Sequence, residues 1–439
     1  VDQTQPVVGP YSVVGLDLDQ DDPRITLARA DLHEGLWVVA RRAGVPQAIL
    51  ETTRSDASRD IATLLAGECA PGATPGAAPL DGVADEDLPT ATVIVCSIIA
   101  RVADLERCLT QLEALDYPRV ELLLVDNRPV PPEDDPLDAL AAAHPSVRVV
   151  PCRIPGLSAA RNAGIRAATG SIVAFTDDDV VVDRQWLKAI GRRFVAEPDL
   201  DAVTGIILPF ELETPAQVYF ERYYGGFAGV RTYRRLTARA GRRLPARARI
   251  TLRDEHGHLV RRIALYGAGA LGAGANMAFR RRALGRLHGF DEALGLGTPA
   301  KGGEDLSVLM RLLWSGGAVG YEPAAVIAHK HRVEYEELTS QMRFYGLGYA
   351  ATLTALVLRD PRHLLALGVL AGPALRSFAT DSLRRVRGVP GGADDAAEPA
   401  FPRELWLLEL RGLPAGPVAF VRSAARLAAR RRAARPARA

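Results

Sequence analysis

From residue 91 the chain alternates short apolar runs with segments of helical period, and few architectures accommodate that rhythm. The run "ATVIVCSII" (91–99) reads as a strand buried on both faces. It precedes "DLERCLTQLEAL", where Leu105, Cys108, Leu109, Leu112 and Leu115 recur at helical spacing. "VELLLVDN" (120–127) is a second such strand, followed by a Pro-rich loop and the short helix "LDALAAA". "VRVVPC", a Pro-Gly turn and the helix "LSAARNAGIRAA" come next, and then the strand "SIVAFT" (171–176), after which Asp183 is placed to cap "RQWLKAIGRRF". Continuous apolar strands separated by helices predict an α/β fold, a Rossmann-like, mainly parallel sheet flanked by helices on both faces.

In such sheets ligands gather beyond the carboxyl ends of the strands. Asp126 and Asn127 end one strand, and Asp177, Asp178 and Asp179 end another, so one crevice receives both. Three adjacent carboxylates repel one another and resist burial. A divalent cation reverses that balance, and hard oxygen ligands suit Mg2+ or Mn2+, whose remaining positions go to water and phosphates. The competing reading is a strand-end turn whose aspartates bond the backbone. Asp126 fits either a nucleobase or ribose partner or a satisfied turn. Arg161 and Asn162, near the start of a helix, fit either a phosphate or nucleobase contact or a solvated helix face.

Composition narrows the remaining classes. With 439 residues, 48% of them hydrophobic, the chain can bury a full core in two or three units. Lys and Arg total 54 against 52 Asp and Glu, so nothing argues for a nucleic-acid partner. Cys69, Cys96, Cys108 and Cys152 are scattered without metal or disulfide spacing and read as reduced thiols. The opening stretch has no basic-then-apolar leader pattern, so a cytoplasmic location is expected. Apolar runs at 346–358 and 363–375 are too short to span a bilayer. They read as buried helices or an interfacial pair.

Four regions follow: a small β-rich unit over 1–66, a Gly/Pro/Ala-rich linker over 67–90, the α/β domain over 91–335, and a helical C-terminal region over 336–439 ending in a basic tail. That tail reads as disordered or as attracted to anionic lipid. The arginine-rich stretch 231–262 reads as a solvated insert or as a flap over an anionic ligand.

A second polar group lies in "GTPAKGGEDLSVLMRLLWSGG". Glu304 and Asp305 open an apolar-faced helix behind two glycines that permit close approach of a ligand. His329 and His331, two apart on a strand, would face the same way and offer a nitrogen to a metal or phosphate. "GAGALG" (267–272) has dinucleotide-loop spacing, but no further parallel βαβ set follows it, and hydride transfer leaves the three aspartates unused.

Taken in order, "VIVCS", "LLLVDN", "GLSAARNAGIRAATGSIVAFTDDDVVVDRQWL", "GAGANMAFRR", "GFDEALGLGTPAKGGEDLSVLMRLLWSGG" and "YEPAAVIAHKHR" resemble a family 2 glycosyltransferase of the bacterial type, over about residues 90–335. The resemblance implies a GT-A fold. It implies that Asp126 contacts the nucleobase, that Arg161 and Asn162 help hold the nucleotide, and that Ser97 and Asp178 border it. Asp177 and Asp179 match the metal-binding D-x-D pair. Asp305 matches the general base, with Glu304 beside it near the acceptor. His329 or His331 falls where some members place a further metal ligand, and Asn276 borders the donor sugar or acceptor. One departure stands out: the polar stretch usual after the first strand is here Ser97, Ile98, Ile99, Ala100 and Arg101.

The expected activity is metal-dependent, inverting transfer of a sugar from a UDP, GDP or TDP donor to a glycan, lipid-linked or small-molecule hydroxyl. The expected setting is the cytoplasm, peripheral to the inner face of a membrane. A sugar-nucleotide pyrophosphorylase is the enzymatic rival, but it calls for a glycine-rich loop after the first strand, which is absent here. A non-catalytic nucleotide-sugar or membrane-binding scaffold is the rival of another class.

Overall fold

The computed structural model describes residues 9–19, 25–26, 33–59, 61, 63, 80–228, 231–371 and 403–433. Strands β1 (Tyr11–Asp17), β2 (Ile25–Thr26), β3 (Gly35–Arg42) and β4 (Val45–Thr53) form a four-stranded sheet in the order β2-β1-β3-β4. One face encloses Leu16, Val38 and Ala40, while Trp37 and Val39 pack on Ile206, Leu208 and Leu212 of the main domain. Residues 67–79 of the expected linker lie outside the described residues. Its end is packed: Leu88 is fully buried and the Tyr117 hydroxyl donates to the Pro89 carbonyl at 2.5 Å.

The main sheet holds 11 strands among the described residues. Its heart is parallel. β5 (Ala91–Ser97) lies between β6 (Val120–Asp126) and β8 (Ile172–Thr176), with β7 (Val147–Pro151) beyond β6. Short β9 (Val180–Val182) runs antiparallel to β15 (Ala318–His329), which pairs in parallel with β10 (Ala202–Pro209). The expected mainly parallel sheet is thus mixed. β14 (Met277–Arg280) runs antiparallel between β8 and β10, and the arginine-rich stretch forms an antiparallel edge of β11 (Leu236–Ala240), β12 (Arg249–Asp254) and β13 (Leu259–Ala264). That stretch is sheet, not a flap. "GAGALG" lies in short 3-10 turns over Leu265–Leu271 rather than in a strand-to-helix loop.

Helices cover both faces. α1 (Val102–Glu113) buries Leu105, Cys108, Leu109 and Leu112 on one side with α4 (Trp186–Ala196), following α2 (Leu137–Ala143) in the chain. α3 (Leu157–Ala167) packs on the other, with α7 (Glu304–Trp314) after α5 (Pro215–Tyr219) and α6 (Arg281–Leu287). Asp183 caps the turn ahead of α4 rather than the helix. Its carboxylate accepts from the Gln185 N–H at 2.9 Å and from Arg41 of the small sheet at 2.8 Å. Cys96, Cys108 and Cys152 are free thiols, while Cys69 lies outside the described residues.

The C-terminal region is helical. α8 (Tyr335–Arg359) is followed by α9 (362–371), α10 (Arg403–Gly412) and α11 (Gly416–Ala433). A Cβ at Gly346 of α8 would lie 1.8 Å from the Glu409 carbonyl oxygen of α10, so only glycine permits this backbone contact. The tail through Ala433 is a helix seated by Ala419, Phe420 and Ser423, which corrects the disordered reading; residues 434–439 lie outside the described residues. No helix among the described residues is long and apolar enough to cross a membrane.

Two polar clamps hold this frame. Asn276 is wholly buried. Its carbonyl oxygen accepts from the Trp186 indole at 2.9 Å, and its amide donates to the Ile206 and Ala325 carbonyls at 2.9 and 2.8 Å, beside the register shift between β10 and β15. Glu121 ties β6 to the loop before β8, accepting from Thr92 at 2.7 Å, Arg148 at 2.6 Å, and both the N–H and hydroxyl of Thr169 at 2.9 Å. Asn276→Ala strands three buried groups and is expected to cost about 3 kcal/mol in a denaturant melt, taking roughly 1 kcal/mol per lost bond. Burial opposes ionisation of Glu121, but its donors prevail and hold the carboxyl down at about 2. Its contribution is therefore present above the unfolded value near 4.5 and fades as pH falls toward 2. Glu121→Gln is expected to lower stability by about 1–2 kcal/mol at pH 7, with the gap closing below pH 3 in parallel melts.

Candidate active site

The parallel strands deliver their carboxyl ends to one cleft of about 1280 Å³. β5 brings Ser97, β6 brings Asn127, and β8 brings the three aspartates. β9 then pairs Val180 with His329 at the end of β15, and this register sets the imidazole beside the acidic run. His329 Nε2 stands 3.3 Å from Asp179 Oδ1 and 3.6 Å from Asp177 Oδ2. Its Nδ1 lies 2.9 Å from the Lys330 carbonyl, a contact that only N–H can make, so Nε2 carries the ligand lone pair in the neutral ring. Asp177, Asp179 and His329 each offer one atom within 4.8 Å of the others, a set suited to one divalent cation.

Charge is balanced around the run. Burial would raise Asp177, but His329 and Arg161 hold it below the usual carboxylate range. Asp178 is pushed up to about 6 by burial and by its two neighbours, against the Ser97 hydroxyl that donates to it at 2.5 Å. His329 is raised because the two aspartates outweigh its burial. Arg161, 3% exposed, donates to Glu304 at 2.9 Å, lies 3.5 Å from Asp177, and rests 5.4 Å over the Phe290 ring. Burial and the adjacent Asp305 push Glu304 upward while Arg161 opposes them.

Asp305 is the half-buried acid of the pair. The Gly274 N–H donates to its Oδ2 at 3.0 Å and the Leu306 N–H to its Oδ1 at 2.8 Å, so it faces the cleft in one orientation. The cleft thus gathers the Asp305 carboxylate and a trio of side chains that could hold a cation.

Of the residues singled out from the sequence, Ser97, Arg161, Asp177, Asp178, Asp179, Glu304, Asp305 and His329 line this cleft. Four others do not. Asp126 is wholly buried, and its oxygens accept from Arg128 Nε at 2.7 Å and Arg153 Nη1 at 2.5 Å. Asn162 exchanges hydrogen bonds with the Phe290 backbone at 3.0 and 2.8 Å. Asn276 serves as the clamp described above. His331 lies beyond the strand with its Nε2 2.7 Å from Glu221, and burial lowers its pKa despite that carboxylate. Alternation could not separate the two histidines, because β15 ends at His329.

Sequence reasoning also missed contributors. Arg101 donates to Asp179 at 2.7 Å; its position after the first strand was the available signal. Phe344, Tyr345 and Tyr349 of α8 form a cleft wall with Lys301, whose ammonium lies 5.4 Å over the Phe344 ring. Those aromatics were not singled out from the sequence, and only the docking of α8 turns them to the cleft.

Residues 92–287 match the model of Glycosyl transferase family 2. Over 292 residues the chain is 27% identical to the pre-mycofactocin glycosyltransferase of Mycobacterium tuberculosis, an alignment covering 66% of this chain and 52% of the relative. It is 28% identical over 121 residues to glycosyltransferase AglE of Haloferax volcanii, covering 27% and 39%. The chain therefore spans about half or less of the curated relatives it matches. Among solved structures it is similar to the mannosyltransferase PcManGT from Pyrobaculum calidifontis in complex with GDP-Man and Mn2+, with 19% identity, 84% and 95% coverage and a TM-score of 0.46. The matched motifs stand in order along one edge of the mixed α/β sheet, so it is the segment 92–287 that is similar to glycosyl transferase family 2.

Proposed function

We propose that the protein is a metal-dependent, inverting glycosyltransferase that moves a sugar from a nucleoside-diphosphate donor to an acceptor hydroxyl. The observation that carries this reading is the placing of Asp177, Asp179 and His329 in the same cleft as Asp305. Two carboxylate oxygens and an imidazole nitrogen of fixed tautomer fit Mg2+ or Mn2+. When bound, the cation supplies charge neutralisation for the departing diphosphate. Asp305 takes the proton from the acceptor hydroxyl as that oxygen bonds to the anomeric carbon. The bond from the anomeric carbon to the diphosphate oxygen breaks, its electron pair leaving with the nucleoside diphosphate. One displacement inverts the anomeric centre. Arg161 holds Glu304 beside the base, and the aromatic wall of α8 shields the acceptor side from water.

UDP-, GDP- and TDP-sugars are the donors to screen, and the acceptor is a glycan, lipid-linked or small-molecule alcohol. Asp305→Asn is expected to lower kcat by roughly a hundred- to ten-thousand-fold with donor affinity retained. EDTA or Asp179→Ala is expected to abolish both turnover and nucleotide binding. Donor binding without turnover for any acceptor in a broad screen would favour the scaffold reading instead.

A cytoplasmic enzyme attached peripherally to the inner membrane face accords with two features. The outward face of α9 is apolar, with Leu364, Leu365 and Val369 58%, 64% and 40% exposed, and α11 ends in Arg430, Arg431 and Arg432. Such a combination suits an anionic lipid surface. In flotation with phosphatidylglycerol vesicles the protein is expected to rise, and the Leu364→Glu/Leu365→Glu variant to stay at the bottom. Absence of the wild type from the vesicle fraction would remove the membrane from this reading.

A further inference from the structure

The loop between β5 and α1 has few polar groups, and its serine is already committed. Ser97 Oγ donates to Asp178 and accepts from the Ile99 N–H at 2.8 Å, which fixes Ile99 at a left-handed φ of 54°. Arg101 is the loop's remaining polar side chain. It lines the cleft with its side chain 41% exposed, whereas Arg161 is buried and held by Glu304.

The contact of Arg101 with Asp179 divides that carboxylate in two. Arg101 Nη2 bonds Oδ2 at 2.7 Å, while Oδ1 faces His329 and the candidate cation position. Asp178 Oδ1 lies 3.8 Å from the same guanidinium nitrogen, and Asp104 stands 4.0 Å from Nε. Of five N–H donors, one therefore makes a close bond here among the described residues. A guanidinium with open donors, beside the place where a cation would receive a diphosphate, matches the forked geometry of phosphate oxygens.

We infer that Arg101 is the diphosphate clamp of this site: its guanidinium, held here on Asp179, turns to the donor's diphosphate when the nucleotide enters. The inference rests on the donor reading above. It assigns Arg101 a role distinct from that of a residue that merely steadies a metal ligand. The two roles predict opposite responses to the metal. A clamp that also neutralises Asp179 competes with the cation for charge, so its removal leaves metal affinity unchanged or tighter. A steadying residue, once removed, weakens the metal site.

Calorimetric titration of the full chain separates these. Mn2+ alone, then UDP, GDP and TDP at saturating Mn2+, then UMP, GMP and TMP, are titrated into wild type, Arg101→Met and Arg101→Lys, with thermal melts checking that each variant folds. For Arg101→Met the expectation is a loss of about ten- to a hundredfold in diphosphate affinity, as for charge-assisted bonds. Monophosphate affinity should change by less than threefold and Mn2+ affinity should not fall, with Arg101→Lys between the two. Parallel loss of Mn2+ and nucleotide affinity, or unchanged diphosphate affinity, overturns the clamp and leaves the donor reading standing. Wild type that binds no nucleoside diphosphate with Mn2+ overturns both. Should Arg101→Met not fold, Arg101→Lys decides by the same comparison of diphosphate with metal.

Discussion

Repulsion among Asp177, Asp178 and Asp179 is the constraint around which this molecule is arranged. Three adjacent carboxylates at a strand end are tolerable only if positive charge reaches them from other parts of the chain. Here it comes from three directions: Arg101 from the loop after β5, Arg161 from α3, and His329 from the end of β15. Each arrives because the sheet places its element there. The order β15-β10-β14-β8-β5-β6 sets donors distant in sequence around one acidic run.

The same constraint explains why the surroundings are rigid. Asn276 and Trp186 pin the backbone where β10 and β15 shift register, just before β15 delivers His329. Asp305 is oriented by the Gly274 N–H. A Cβ at Gly274 would fall 2.6 Å from the Arg161 guanidinium, so this turn also approaches the cation that bridges Glu304 and Asp177. Asp305, the bridging arginine and the acidic run thus share supports, and their mutual geometry does not depend on any one long side chain.

Much of the fold was legible before any coordinates. Apolar runs buried on both faces demand a sheet covered by helices, and α1 buries the cysteine and leucines that the spacing selected. The misreadings have physical causes. The stretch 231–262 allowed a flap because its arginines hide a sheet pattern: Arg239, Arg249 and Arg253 are exposed on β11 and β12 while Ala238 pairs with Leu252 and Ala240 with Ile250. The tail looked disordered because its arginines conceal the alanines and phenylalanine that seat it on α8. Asp126 kept its place at a strand end, but two arginines from separate loops neutralise it, which no local pattern announces.

The sequence by itself determined the alternation of strands and helices and the residue types at each strand end, because burial period and turn chemistry are local properties. It therefore named the acidic run, the Glu304–Asp305 pair and a histidine partner. Only the tertiary structure decided which histidine turns its nitrogen to the aspartates, which carboxylates face the cleft, and that Arg101 rather than a polar loop stands beside them. Those are matters of register and charge pairing between segments far apart in the chain, and they exist only once the sheet has closed them around one another.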